Sequence, residues 1–385
     1  MNLDDAGSDV VRRLLIENAL HWIHEYHADG LRLDATHALI DARPRHFVAE
    51  LAAAVHEAAD PSPLVYAEDH RNLATMLEDP SRGGWGLDGV WADDFHHVVR
   101  RMLAGDTHGY YVDYDGTAAE LAATLRRGWL FTGQHSRHHD APRGTDPSHV
   151  EMRRAVVCVQ NHDQVGNRAL GDRLHHAVDA AGWRAAVTVL LTAPMTPLLF
   201  MGQEWAARSP FQFFTDFSPD LGRLVVEGRR QEFSAFPEFA APNATDRIPD
   251  PQDEATFAAS RLRWEEQRCP EHHAVLALHR ALLRLRDGRD ALHGSDDYAS
   301  DAEAPDADTI VLGRGASADA VLVVARLRGH GVVSVSALSD GEWHVLLNTE
   351  DAAFAADPLP PRVDVPAGLI AFQRPGALVF ARTHD

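Results

Sequence analysis

Three apolar runs of this chain each close on a carboxylate. They are Gly30-Leu31-Arg32-Leu33-Asp34, Leu64-Val65-Tyr66-Ala67-Glu68 and Val156-Val157-Cys158-Val159-Gln160-Asn161-His162-Asp163. Each reads as a buried strand that delivers an acid at its C-terminal end. Acids converging there have the chemistry needed to break a glycosidic bond. One group protonates the leaving oxygen while a second carboxylate attacks the anomeric carbon or activates water to do so. A short Asp suits a fixed nucleophile and a longer Glu suits proton transfer, so Asp34 is expected as nucleophile and Glu68 as acid. If the two lie roughly 5 Å apart, the anomeric configuration is retained. Arg32 stands two residues before Asp34 and shares its face of the strand. Its guanidinium can keep Asp34 ionised and aimed through charge-assisted hydrogen bonds. His162 can donate to sugar hydroxyls, and Asp163 can grip a diol of the bound ring. Taken singly, each acid is also what a turn or a helix cap requires. All three in order, each ending an apolar run, occur together far less often by chance.

The elements that must carry these groups alternate. Residues 8 to 28 have helical spacing of Val11, Leu14, Leu15, Ala19, Trp22, Ile23 and Tyr26, with Ser8 placed to cap them. A second helix is expected over 45–58, before Pro61, Pro63 and the Leu64 run. Strand, helix and strand with short connections is the rhythm of a parallel α/β fold. Further strands are expected to end near Trp91 and Met201, with helices over 96–103, 117–127, 180–192 and 274–285. The long polar stretch between Gly105 and Asp146 reads as a substrate-facing excursion. From about Gly294 the texture changes to short strands separated by Gly, Pro and Asp, the pattern of a small antiparallel sandwich. The expected division is therefore 1–293 and 294–385. Five parallel-type strands precede the sandwich, whereas a closed (β/α)8 barrel has eight. The fold expected is α/β: the C-terminal part of a TIM barrel, strands 4 to 8 with the first three absent, followed by a β-sandwich.

Composition narrows the partners. The net charge of −21 disfavours nucleic acid and anionic membranes. No run is long and apolar enough to span a bilayer, and the N-terminus has no signal-peptide pattern. Two cysteines, Cys158 and Cys269, cannot build a disulfide framework, which fits a reducing, cytoplasmic setting. Neither H-E-x-x-H nor C-x-x-C occurs, so no metal site is expected. Acid-based glycoside cleavage requires no cofactor. Oligomeric state is left open.

Asp-Gly-Leu-Arg-Leu-Asp at 29–34, Ala-Glu-Asp at 67–69 and Asn-His-Asp-Gln at 161–164 resemble three signature regions of the α-amylase superfamily, glycoside hydrolase family 13. The resemblance implies Asp34 as nucleophile, Glu68 as acid/base and Asp163 as transition-state stabiliser. It also implies that Arg32, His37, Asp69, His162 and Gln164 bind substrate. The segments 91–97, 109–114, 201–205, 213–217 and 228–233 resemble the subgroup that acts on maltooligosyl trehalose and releases trehalose. That match runs through nearly all of residues 3 to 290. The alternatives are a glycogen-branching or α-1,4-glucan-hydrolysing enzyme of the same fold, and a glucan-binding piece without turnover.

Overall fold

Gly30 sets the first strand against the second. A Cβ at this position would lie 2.5 Å from the Leu64 carbonyl oxygen, so only glycine allows the approach. In the computed structural model, which describes residues 1–240, 247–293, 300–315, 319–340 and 342–382, β1 (Gly30–Leu33) pairs in parallel with β2 (Leu64–Ala67). β2 pairs with β3 (Gly89–Trp91), and β3 with β4 (Ala155–Val157), again in parallel. These strands belong to one of two units, formed by 1–94 and 127–157. Helix α1 (Ser8–His24) packs on α2 (Phe47–His56), which packs on β2. The buried Arg12 ties them together, donating from Nε to Glu50 at 2.8 Å and pairing with Asp41. Burial works to raise the Asp41 pKa, but the Arg43 amide, with that guanidinium and the Phe47 amide, holds the carboxyl below its usual range.

Asp94 is the anchor of this unit. Its fully buried carboxylate accepts from Asn72 Nδ2 at 2.7 Å and from the Leu130 and Phe131 amides at 2.7 and 3.1 Å. Arg143 pairs with it at 2.9 Å. The loop after β2 and the segment before β4 are thereby tied to the start of helix α3 (Asp94–Ala104).

The other unit comprises 95–126 and 158–385. It holds α4 (Ala118–Arg127), whose last residue falls to the first unit, α5 (His162–Gly166) and α6 (Ala180–Thr192). It continues through β5 (Thr196–Pro197), α7 (Pro219–Glu232) and α8 (Pro270–Asp287), which packs on α6. Among the described residues eight strands follow: β6 (Ser300–Glu303), β7 (Thr309–Arg314), β8 (Val321–Arg326), β9 (Gly331–Ser334), β10 (Trp343–Asn348), β11 (Arg362–Asp364), β12 (Leu369–Phe372) and β13 (Gly376–Arg382). They form an antiparallel sheet ordered β10-β13-β8-β7-β6 and a smaller one ordered β9-β12-β11. Val324, Val333, Ile370, Phe372 and Phe380 are among the side chains that fill the core between them. Arg184 of α6 is buried and bidentate on Glu350, at 2.7 and 2.9 Å from Nη2 to its two oxygens.

Several expectations are corrected. Gly7, at φ 82°, is the N-cap of α1, whereas Ser8 is buried and accepts from Arg43 Nη2. Of the predicted apolar stripe, Ala19 and Ile23 are buried but Leu14, Trp22 and Tyr26 are exposed. The fifth strand is Thr196–Pro197 and not Leu198–Met201. Proline brings no N–H to a ladder, and the Phe200 amide donates instead to the Gln203 side chain at 3.0 Å. The run before Asp163 stops being a strand after Val157, because the Val159 carbonyl accepts from His96 Nδ1 at 2.7 Å. Strands β6, β11 and β12 were not expected. Gly294, the expected boundary, lies outside the described residues.

Candidate functional site

Beyond the end of the β1–β2 ladder the backbones stay tied. The Glu68 amide donates to the Leu33 carbonyl at 2.9 Å, and the Thr36 amide to the Glu68 carbonyl at 3.1 Å. Asp34 and Glu68 therefore leave adjacent strand ends at equivalent positions. Arg32 joins them, with one guanidinium nitrogen ion-paired to Asp34 and the other 3.6 Å from Glu68 Oε2. The guanidinium lies over the Trp91 ring of β3, 4.3 Å from the centroid. An arginine so stacked keeps a fixed plane, which sets the bearing of both carboxylates. Asp34 is largely solvent-accessible and Glu68 mostly covered, with side-chain exposures of 77% and 20%.

Ala35, between the nucleophile candidate and Thr36, adopts φ 46° and ψ 46°. That left-handed turn points its amide at Glu68 Oε2, 2.6 Å away. An L-residue held there stores roughly 1–2 kcal/mol. Ala35→Gly is therefore expected to stabilise the protein by about 1 kcal/mol, read as a rise in thermal midpoint. A lower midpoint would mean that the turn is unstrained.

Asp69 is buried, and its carboxylate is engaged by Arg71 from Nη2 at 2.6 Å and by Thr36 Oγ1 at 2.8 Å. Although burial works the other way, these bonds hold its carboxyl below the usual range. It turns inward as a brace under Thr36. His37 rests edge-on against His70, with ring centroids 4.4 Å apart, and His70 stacks on His139 at 5.3 Å. Burial lowers the His70 pKa to about 4, with the neighbouring His37 adding to the effect.

The third acid belongs to the other unit and sits on a helix. Asn161 caps α5, accepting from the Gln164 amide at 2.8 Å. This places Asp163 in the first helical turn, with the His162 ring 3.4 Å from its carboxylate and both side chains nearly half exposed. Gln164 is buried and its Oε1 accepts from Tyr110 at 3.4 Å. Sequence reasoning missed the Trp91 seat of Arg32, the Ala35 turn and the His70–His139 stack. Of these only Trp91 left a signal, as the aromatic end of a strand. Among the described residues no group of three or more His, Cys, Asp or Glu side chains can hold a metal ion. Nor, among the described residues, is any helix long and apolar enough to cross a membrane.

No protein-family model matches the chain. It is 46% identical over 297 residues to the malto-oligosyltrehalose trehalohydrolase of Deinococcus radiodurans, covering 76% of this chain and 47% of that protein. The protein of that name from Saccharolobus solfataricus is 35% identical over 286 residues, covering 74% and 47%. The chain thus spans about half the length of the curated relatives it matches. Among solved structures, a Salmonella typhimurium protein named only provisionally as an alpha amylase superposes with a TM-score of 0.81 at 31% identity, covering 97% of this chain and 61% of that one. The alpha-amylase of H. orenii shares the fold at TM-score 0.58 and 14% identity, covering 98% and 66%. An α/β chain with Asp34 and Glu68 at the ends of adjacent parallel strands is thus similar over about three quarters of its length to malto-oligosyltrehalose trehalohydrolases, and it shares the fold of the α-amylases.

Proposed function

We propose that this chain carries the catalytic acids of a retaining glycoside hydrolase. Its reaction would cleave the α-1,4-glucosidic bond next to the terminal trehalose of maltooligosyl trehalose. The observation that carries the reading is the single Arg32 guanidinium shared by Asp34 and Glu68. Adjacent strands run about 4.8 Å apart, close to the carboxylate separation of roughly 5 Å that a double displacement uses. The names of the relatives support the choice of substrate.

In the first step Asp34 attacks the anomeric carbon and forms a glycosyl ester as the C–O bond breaks. Glu68 gives its proton to the departing oxygen, which leaves as a hydroxyl of trehalose. In the second step Glu68, now a carboxylate, takes a proton from water. The hydroxide attacks the same carbon, freeing the glucan end and restoring Asp34. Arg32 keeps Asp34 ionised and on line. In the other unit, Asp163 has the role of transition-state stabiliser and His162 that of a substrate-binding group. His37 and Gln164 are further substrate-binding groups, and Asp69 contributes by bracing the turn. No cofactor takes part. The proposed partition is a catalytic part over 1–293 and an all-β part over 294–385. The two free cysteines and the acidic charge support a cytoplasmic setting.

The test compares maltotriosyltrehalose with maltopentaose, separating products by chromatography. Trehalose is expected from the first substrate and little change in the second. Efficient cleavage or chain transfer on the plain oligosaccharide would replace this reading with a general glucan hydrolase or a branching enzyme.

A further inference from the structure

The helix that carries Asp163 is only five residues long, His162–Gly166. A helix so short does not hold its shape by itself in water, so partners must fix its two ends. Asn161 fixes the first as the N-cap. The second is fixed by Arg229 of α7, 62 positions beyond Asn167 in the chain.

Arg229 donates from Nη1 to Asn167 Oδ1 at 3.0 Å and from Nη2 to the Gly166 carbonyl at 3.2 Å. Asn167 is the C-cap of α5, and its amide donates to the Asp163 carbonyl at 2.9 Å. Two hydrogen bonds in series therefore link the Arg229 guanidinium to the backbone of Asp163. The guanidinium is itself held. It lies over the Phe213 ring, 3.9 Å from the centroid, and over the Phe233 ring at 5.3 Å. Two aromatic faces fix its plane and so the direction of its N–H groups.

Both acceptors of Arg229 are neutral. Arg168, the residue after Asn167, is by contrast matched by Asp106 at 3.1 Å and Asp172 at 2.7 Å. Burial lowers the Arg229 pKa to about 10, with Glu232 of the same helix offsetting part of the loss. The group stays charged at neutral pH, and it stands at the C-terminal end of α5, where helix carbonyls favour a cation. Its hydrogen bonds are directed at the shape of that one turn. The Asp163 side chain is 43% exposed, so its position depends chiefly on the backbone that carries it. A transition state is stabilised by groups already in place, and a misplacement of about 1 Å can cost about 100-fold in rate. We propose that Arg229 is a positioning residue for Asp163, holding the turn that presents it to the transition state. The proposal rests on the function proposed above.

Two substitutions test it. Arg229→Met keeps an unbranched apolar stem against Phe213 and removes the donors. Arg229→Lys keeps the charge but loses the planar fork that reaches two acceptors. With maltotriosyltrehalose, Arg229→Met is expected to lower kcat by about 10- to 100-fold and to change KM by less than about threefold. Arg229→Lys should recover part of the loss and remain below the parent. A second readout needs no turnover. Acarbose carries a flattened, cationic ring that imitates the transition state, whereas maltoheptaose imitates the ground state. Calorimetric titration should show Arg229→Met weakened about tenfold for acarbose and unchanged for maltoheptaose. In an Asp163→Asn background the same substitution should cost no further acarbose affinity, because the carboxylate it positions is gone. Circular dichroism identifies a variant that has unfolded, and Arg229→Lys then decides. Undiminished kcat in a folded variant, equal losses for the two ligands, or a full acarbose loss in the Asp163→Asn background overturns the proposal and leaves the proposed function standing. Acarbose affinity unaltered by Asp163→Asn alone overturns both.

Discussion

Asp34→Asn is expected to abolish turnover of maltooligosyl trehalose, lowering kcat by a factor on the order of 10⁴ or more. The amide has the size of the carboxylate but cannot form the glycosyl ester. Its other consequences should be small. The Asp34 side chain is 77% exposed, so its pair with Arg32 is screened by solvent and contributes under about 1 kcal/mol to the fold. Arg32 keeps Trp91 beneath it and Glu68 beside it. The variant should therefore melt near the parent temperature and still bind glucan. Single-turnover product release measures the chemical step. Undiminished release of trehalose would remove Asp34 from the role of nucleophile and, with it, the double displacement.

Acidification from about pH 6.5 to 4 is expected to destabilise the protein steeply. His96 and His279 are fully buried, and burial lowers their pKa values to about 3 and about 4. The nearby Arg100 adds to the effect on His96. Both imidazoles are neutral in the fold. His96 donates from Nδ1 to the Val159 carbonyl and can accept at Nε2 from Tyr111, while His279 donates to the Val275 carbonyl. In the unfolded chain each takes up a proton below about pH 6.5. The stability they contribute is therefore complete above that pH and lost as pH falls toward the folded values. The loss is about 1.4 kcal/mol per pH unit for each. His70 and His175 are depressed in the same direction but are partly exposed, so they contribute less. Below about pH 4 the lowered carboxyls of Asp41, Asp69 and Asp106 add a further loss as they protonate. Urea midpoints taken across this range measure the slope, and His279→Gln should flatten it. A midpoint constant from neutral pH to about pH 4.5 would show that these imidazoles stay charged or become wetted.

Much of the scaffold was legible because its signals are local. Helix α6 occurs over the residues its spacing predicts, since a nearly all-apolar stretch bounded by Asp179 and Pro194 has few alternatives. The ends of β1 and β2 were equally plain, as apolar runs that stop at Asp34 and Glu68. Strand β11 escaped notice because it is three residues long with a single apolar residue between two charged ones, and β12, though apolar throughout, is only four residues long. The Asp163 segment was misread as strand because apolar content alone does not reveal where a carbonyl finds its partner. The Val159 carbonyl bonds a histidine 63 positions earlier.

By itself the sequence determined which acids stand at strand ends, in what order, and that an arginine shares the face of the first. Those facts follow from the two-residue period of a strand and the length of one βα unit. Only the tertiary structure decided that Arg32 serves both Asp34 and Glu68, that Trp91 seats it and that Ala35 turns left-handed to reach Glu68. It likewise turned Asp69 inward and put Asp163 on a helix. Such outcomes depend on hydrogen bonds and ring contacts between residues far apart in the chain. A buried donor or charge takes whichever partner the fold brings within reach.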